Sequence, residues 1–464
     1  MRARTLTSRT LIEHFLERVH RLDPVLRSFL TVTEARALAD ADRADRELSR
    51  GRVRGPLHGI PYALKDIFDV VGIPTTCNSA LTLHRVPDVD AAVEERLREG
   101  GGVLLGKLNT HEFALGGPSN DLPFPPARNP WHLDHFTGAS SSGSGVAVAA
   151  GLVPVSIGSD TSGSIRGPAA HCGVAGLKPT YGLVSRRGAF PLSYALDHCG
   201  PFGRTVGDLA LALDVVAGHD PLDPGSVRAA RPAASYATGL DGGVAGLRVG
   251  YARELFDRVG LADREVGAAV DDAAMRLAAL GAHVDQVTLP DFERFNACGR
   301  VLLAAEAYAV HEHDLRRRPE AFGRYTYQRV APGATLTAAD LLHAHRARRE
   351  LAAAVARALS AFDVLLTANA LTLPAKVTDF PLDWPPPSAV TATMTIPFNV
   401  TGHPALSVPV GLSTSGLPLA VQLVGGYFAE TDVLRTGAAL EATTGASARW
   451  PGIASVSSGG VPAE

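Results

Sequence analysis

The sequence predicts an α/β fold in which helices flank a large mixed β-sheet. Short apolar runs such as IPYALKD, GGVLLGKL and LVPVSIGS are typical of buried strands. They alternate with glycine-rich turns and with Ala/Val-rich segments of helical character, in a chain that contains 47 Gly and 32 Pro. Such alternation indicates helices layered on a sheet.

We expect one domain, because no internal repeat interrupts this pattern. The N-terminal segment predicts helices, since its apolar residues recur at helical spacing. The runs GLRVGY, FDVLLTAN (362–369) and HPALSVPVGL (403–412) predict further strands. We expect this domain to cover residues 1–446 and to be followed by a flexible tail (447–464). Within the domain, the expected parts are N-terminal helices (5–50), a core (55–230), a variable and mostly helical excursion (231–385) and a return to the core (386–446).

Composition limits the function classes. The chain has 464 residues, 46% apolar and 20% charged, which is typical of a globular protein. Its net charge of −3 favours neither nucleic acid nor an anionic membrane. The four cysteines contain no CxxC pair, so we expect free thiols and a cytoplasmic location. The uncharged stretch 136–159 is rich in Gly, Ser and Ala and contains Pro154, so it predicts no membrane span.

Several familiar motifs are incomplete. The run GGVLLGKL (101–108) has Leu108 where a phosphate-binding loop needs Ser or Thr, so we interpret it as a buried strand. HEHD (311–314) and HAHR (343–346) place their histidines two residues apart, on different helix faces, which argues against a metal site. The chain also lacks the GxSxG nucleophile elbow.

Two Ser/Gly-rich stretches, GASSSGSG (138–145) and GSDTSGSIRGPAAHCG (158–173), lie between apolar segments. Such tracts are commonly flexible linkers. Here their uncharged, apolar setting predicts interior loops, whose free backbone N–H groups and serine hydroxyls could stabilise an oxyanion.

Lysine is rare in this chain: only four of its 44 basic residues are lysine. One of them, Lys65, lies in the apolar run GIPYALKD (59–66). A buried lysine can lose its proton, whereas arginine cannot, so Lys65 is a candidate base. The alternative is a lysine paired with Asp66 or Asp69 at the end of a strand.

Taken together, these stretches resemble the amidase signature family of serine hydrolases. GIPYALKD (59–66), GASSSGS (138–144), DTSGSIR (160–166) and GLKPTYG (176–182) occur in the order of that family's motifs. Flanking phrases, including KLNTHEFALG (107–116), LDHCGPFGRTVGD (196–208) and NVTGHPALSVPVG (399–411), are similar as well. The resemblance extends from about residue 5 to 442 and implies the amidase-signature fold.

The resemblance implies a Ser-cisSer-Lys triad. Ser164 would be the nucleophile, Lys65 the general base, and Ser140, held by a cis peptide bond, the serine that bridges them. The oxyanion would bind main-chain N–H groups of Thr161, Ser162 and Gly163, in a turn that leads into a helix.

Some positions depart from the family's phrases. Ala139, Ser142 and Ser162 replace glycines, and Ser162 would be strained if its position required a positive φ. For Arg166 we expect an ion pair with Asp160, the alternative being contact with a substrate carboxylate.

The resemblance implies an amidase that cleaves the C–N bond of a small carboxamide, or a related carbamate or ester, through an acyl-enzyme. No metal or other cofactor is implied. The alternative is the glutaminase A-subunit of a tRNA-dependent amidotransferase, and a third possibility is an inactive family member that only binds. We expect a small-molecule amide as partner, no nucleic acid and no membrane, with a homodimer as one option for the oligomeric state. The middle region 231–385 is expected to line the substrate pocket.

Overall fold

A computed structural model describes residues 5–115, 117–228, 235–381, 383, 385–386 and 393–455. Within these residues, eleven strands form one sheet in the order β1-β3-β2-β4-β6-β5-β10-β11-β9-β7-β8. The predicted α/β class with a large mixed sheet is therefore confirmed. The strands are β1 (Phe29–Val32), β2 (Pro61–Lys65), β3 (Val103–Leu108), β4 (Val155–Asp160), β5 (Ala175–Lys178), β6 (His198–Gly203), β7 (Arg248–Tyr251), β8 (His283–Gln286), β9 (Val364–Ala368), β10 (Ala405–Leu412) and β11 (Pro418–Gly425).

Helices surround this sheet. Every residue of the central strands β2, β3 and β4 is buried, as expected where helices cover both faces. The α-helices of the described ranges are α1 (Ser8–Leu26), α2 (Glu34–Ser49), α3 (Ala92–Glu99), α4 (Ser142–Ala149), α5 (Arg166–Cys172), α6 (Val206–Val216), α7 (Arg253–Asp257), α8 (Arg264–Ala279), α9 (Phe292–Arg317), α10 (Arg324–Val330), α11 (Ala338–Leu359), α12 (Ile396–Thr401) and α13 (Glu430–Thr444). Among them, none has the length and hydropathy that crossing a membrane requires.

The parallel pairing of β2 with β4 brings two distant motifs together. Tyr62 is in register with Val155, and Leu64 with Ile157. Because parallel strands end at the same edge of a sheet, Lys65 at the end of β2 lies beside the segment that follows β4. This edge therefore carries the candidate base and the DTSGSIR motif.

The middle region differs from the prediction in one respect. We expected 231–385 to be mostly helical, and it does contribute α7 to α11, but it also adds three strands to the sheet. Two of these, β7 and β9, fall on the predicted runs GLRVGY and FDVLLTAN. β8 was missed because it has four residues, none of them buried, at the sheet edge, where no apolar pattern is required.

The chain after α13 continues in short turns. Ala446–Ala448 and Gly452–Ser455 each form a 3₁₀ turn. The rest of the expected tail, 456–464, lies outside the described residues, as do 229–234 and 387–392.

Candidate active site

Lys65 ends β2 as a buried side chain that contacts two serines. Its Nζ lies 2.8 Å from Ser140 Oγ and 2.9 Å from Ser159 Oγ. Ser159 is the penultimate residue of β4, so the parallel pairing of the two strands explains this contact. The structure thus brings the predicted base and the predicted bridging serine within hydrogen-bond distance.

The alternative pairing of Lys65 with a neighbouring aspartate is not found. Asp66 forms an ion pair with Lys107, whose Nζ lies 2.8 Å from Asp66 Oδ1. Asp69 binds Arg85, with an N–O distance of 2.7 Å. Both carboxylates therefore have other cationic partners, and Lys65 is left facing hydroxyl groups.

Burial lowers the pKa of Lys65 to about 7. The negative charges of Asp197 and Asp160 act in the opposite direction and favour the protonated amine. A lysine with this pKa is divided between the neutral and charged forms near neutral pH, which suits a general base.

Ser140 and Ser164 are connected by a hydrogen bond from the backbone of Ser140 to the side chain of Ser164. The N–H group of Ser140 donates to Ser164 Oγ at 3.3 Å, and both side chains are almost fully buried. Gly138, just before them, has φ +109°, and a Cβ there would lie 2.5 Å from the backbone nitrogen of Pro168. The start of the first Ser/Gly-rich stretch, residues 138–141, is therefore a tightly packed interior loop, as predicted, whereas its remainder forms the first turn of α4 (Ser142–Ala149).

Asp160 organises the turn that carries Ser164. Its carboxylate accepts hydrogen bonds from the N–H groups of Gly163 at 2.7 Å and Ile165 at 3.1 Å. Gly163 has φ +131°, and a Cβ there would lie 2.2 Å from Thr395 Oγ1. The positive φ thus falls on this glycine and not on Ser162, so the strain considered for Ser162 does not arise.

The predicted oxyanion donors need one correction. The N–H of Gly163 is already bound to the Asp160 carboxylate, so it is not free for an oxyanion. Within the described residues, no backbone hydrogen bond is found from the N–H groups of Thr161, Ser162 or Ser164. The backbone N–H groups of Thr161, Ser162 and Ser164 are therefore candidate donors to an oxyanion, and Ser164 was not among the predicted ones.

Arg166 is fully buried and structural, as expected. Its guanidinium binds Asp160 at 2.9 and 3.0 Å. It also donates to the Thr395 carbonyl at 2.9 Å, to Gln422 Oε1 at 2.7 Å and to Asn399 Oδ1. All the N–H groups of this guanidinium therefore have acceptors, and they hold the start of α5 against β11 and α12.

One group of described residues offers three metal-type ligands close together. His132, Asp134 and His135 lie in a surface turn, with His135 Nδ1 2.7 Å from Asp134 Oδ1. The other oxygen of Asp134 faces Lys376 Nζ at 3.7 Å. Because the carboxylate already interacts with three basic groups, we interpret the cluster as a surface ion-pair network.

The other motifs occupy structural positions. GGVLLGKL forms the buried strand β3, as predicted. In α9, His311 is buried among Phe113, Phe190 and Phe322, whereas His313 is exposed.

Two residues that interact with Lys65, Ser159 and Asp197, were not predicted from the sequence. Asp197 accepts from Thr161 Oγ1 at 2.6 Å and thus contacts the nucleophile turn. Both residues lie in or beside quoted motifs: Ser159 precedes DTSGSIR, and Asp197 belongs to LDHCGPFGRTVGD. The positions of both residues next to the motifs could be read from the sequence. Their contacts with Lys65 and Thr161 depend on how the strands pair, which no local sequence pattern encodes.

Comparison with known proteins defines the class. A family model described as Amidase matches residues 10–434. The chain therefore belongs to the amidase signature family, and it is a C–N hydrolase of that family.

Individual relatives agree on the fold but carry different names. The A-subunit of glutamyl-tRNA(Gln) amidotransferase from Synechococcus sp. (strain CC9902) is 39% identical over 454 residues, covering 93% of this chain and 92% of the relative. Peptide amidase from Stenotrophomonas maltophilia is 32% identical, with a TM-score of 0.83, over 97% of this chain and 96% of its own. A structure described as a vestigial protein complex, related to the origins of an s-triazine catabolic enzyme, is 36% identical, with a TM-score of 0.88, over 95% and 96% of the two chains.

These names overturn our expectation about partners. We expected a small-molecule amide alone and no nucleic acid, and that expectation is wrong. The Synechococcus relative is named as one subunit of an enzyme for a glutamyl-tRNA, and another relative was solved in a protein complex. A net charge of −3 describes the isolated chain and does not limit what an assembly binds.

Proposed function

We propose that the protein hydrolyses a carboxamide through a covalent acyl-Ser164 intermediate, with Lys65 as the general base. The observation that carries this proposal is the buried Lys65 Nζ 2.8 Å from Ser140 Oγ, in a setting that favours the neutral amine. A serine hydroxyl is a weak nucleophile until a base removes its proton.

In the first half-reaction, Ser164 Oγ attacks the amide carbonyl and its proton passes to Ser140. Ser140 in turn gives its own proton to neutral Lys65. The carbonyl oxygen becomes an oxyanion, which the N–H groups of Thr161, Ser162 and Ser164 can stabilise. The protonated lysine then returns its proton through Ser140 to the nitrogen, the C–N bond breaks, and ammonia or an amine leaves.

In the second half-reaction, water attacks the acyl ester. Lys65 and Ser140 accept the water's proton and deliver it to Ser164 Oγ as the ester C–O bond breaks. The products are the carboxylic acid and the free enzyme. Every proton is thus carried by this chain's own side chains.

We further propose glutamine as the amide, with the chain acting as the ammonia-releasing component of a tRNA-dependent amidotransferase. The 39% identity over 93% of the chain to a relative of that name supports this choice. A free-standing amidase is the second candidate, which the likeness to peptide amidase favours.

Ammonia release by the purified chain tests both proposals. Glutamine, a small aliphatic carboxamide and a peptide amide would each be tested alone, and again with the remaining amidotransferase subunits and the tRNA of the same host. We expect glutamine to be preferred and its hydrolysis to increase in the assembly. Preferential hydrolysis of another amide, unchanged by the added components, would exclude the glutaminase role and leave the free amidase.

A further inference from the structure

A loop beside the nucleophile turn is held by two carboxylates. This loop, residues 190–198, connects to β6 and contains the sequence FPLSYALDH. Glu306 of α9 accepts from the hydroxyl of Ser193 and from the N–H of Ala195, the latter at 3.0 Å. Asp197 holds the other part of the loop and reaches the active site as well.

Asp197 uses its two oxygens for different partners. Oδ1 accepts from Thr161 Oγ1 at 2.6 Å, in the turn that bears Ser164. Oδ2 accepts from the N–H groups of Leu192 at 2.9 Å and Ser193 at 3.0 Å. Burial raises the pKa of this carboxyl group, whereas its hydrogen-bond donors lower it by stabilising the carboxylate. As a carboxylate, the side chain fastens the loop to the turn and places a negative charge there.

Other charged and titratable groups near Lys65 are accounted for. The charge of Asp160 is compensated by its direct ion pair with Arg166. Burial raises the pKa of the nearby thiols Cys77 and Cys199, the latter to about 12, so both are neutral at pH 7.

Arg186 is a nearby cation that acts on Asp197 and lowers its pKa. That guanidinium already pairs with Asp223, with an N–O distance of 3.2 Å. The Asp197 carboxylate therefore has no direct cationic partner among the described contacts, and its negative charge favours the protonated form of Lys65.

We propose that Asp197 is a positioning residue, which holds Thr161 in the oxyanion turn with one oxygen, fastens the 190–198 loop with the other, and acts on Lys65 through its negative charge. The inference rests on the proposed amide hydrolysis. It assigns two separable effects to one carboxylate, one through hydrogen bonds and one through charge.

Asp197→Asn isolates the charge. If the amide oxygen accepts from Leu192 and Ser193, its NH₂ group faces Thr161 Oγ1, and a hydroxyl can accept as well as donate. All three contacts can thus survive without the negative charge. The acidic limb of the pH–activity profile is the range in which activity rises as Lys65 loses its proton. Because the negative charge favours protonated Lys65, its removal should move this limb about one unit to lower pH.

Thr161→Val isolates the hydrogen bond. Valine has nearly the same shape but cannot donate to Asp197, and the charge remains. We expect the maximal kcat, reached at high pH, to fall by roughly 10- to 100-fold, because small displacements of catalytic groups are costly. The pH at which the activity reaches half of that maximum should stay unchanged.

Asp220→Asn is the matched control. Asp220 accepts from the Ser185 hydroxyl and pairs with Arg187, which keeps Glu95 as a second partner, and it contacts neither Asp197 nor the turn. It should change neither quantity.

The measurement is the pH dependence of the amide hydrolysis, and of Ser164 labelling by a serine-reactive fluorophosphonate, with folding checked by thermal melting. The proposal is overturned if folded Asp197→Asn keeps the wild-type limb, or if Thr161→Val keeps the wild-type plateau. A wild type that is neither active nor labelled at Ser164 would instead refute the proposed function, so the two failures are distinguishable.

Discussion

Replacing Lys65 by arginine separates proton transfer from positive charge. At pH 7 a lysine of pKa about 7 is about half neutral, so it can accept a proton from Ser140. Even if burial lowered the pKa of arginine by as much, it would stay near 9 to 10, and roughly one molecule in 100 to 1,000 would be neutral. The planar guanidinium also fits poorly between the hydroxyls of Ser140 and Ser159. We expect kcat to fall by at least ~10³-fold, about 4 kcal/mol of barrier.

Two further variants keep this prediction interpretable. Lys107→Arg makes the same change at a second fully buried lysine, where arginine can preserve the ion pair with Asp66, and should keep most of the activity. Lys65→Met removes the amine without adding bulk and should be folded and inactive. Thermal melting verifies folding for all three variants.

The assay is kcat as a function of pH. Wild-type activity should rise through an apparent pKa of about 7, since Lys65 must be neutral, and at pH 6 about one tenth of the plateau should remain. A folded Lys65→Arg enzyme that retains more than about a tenth of the wild-type kcat would refute the general-base role.

Three other changes test neighbouring features. Ser164→Ala should lower kcat by roughly 10³-fold or more in a folded protein, because the nucleophile is lost; melting and turnover measure this together. Gly163→Ala should cost about 1–3 kcal/mol of stability and reduce kcat, because φ is +131° and the new Cβ would meet Thr395; a Tm equal to the wild type would contradict this. Burial raises the pKa of Glu441 to about 7, so its stabilising contribution is present at low pH and is lost as the pH rises through 7. The Tm of Glu441→Gln minus the Tm of the wild type should therefore increase between pH 5 and 8. A Tm difference that stays constant over this range would argue against this pKa.

Much of the fold could be predicted because its central strands are apolar and bounded by glycine. A strand buried on both faces is mostly apolar, as β2 and β3 are apart from Lys65 and Lys107, so burial leaves a nearly continuous apolar pattern in the sequence. The edge strand β8 has no such requirement, and its residues HVDQ gave no signal.

The candidate site was predictable in its residue types but not in its contacts. The rarity of lysine drew attention to Lys65, and the motif order associated it with Ser140 and Ser164. That the Gly163 N–H belongs to Asp160 follows from the conformation of one turn. Asp197 likewise meets Thr161 only because a loop folds back over that turn, and residue spacing does not encode such contacts.

The partners of Arg166 bear on when this enzyme becomes active during its synthesis. The three proposed triad residues all lie in the first 164 of 464 positions, so a ribosome has made them well before half of the chain. Yet the Arg166 guanidinium, beside the turn that carries Ser164, binds Thr395, Asn399 and Gln422, which are made more than 200 positions later. A nascent chain must therefore hold this buried cation without most of its partners, which is unfavourable. We expect hydrolysis to begin only after translation has passed Gln422, so the order of synthesis delays the chemistry until the strand that supplies this last partner has been made.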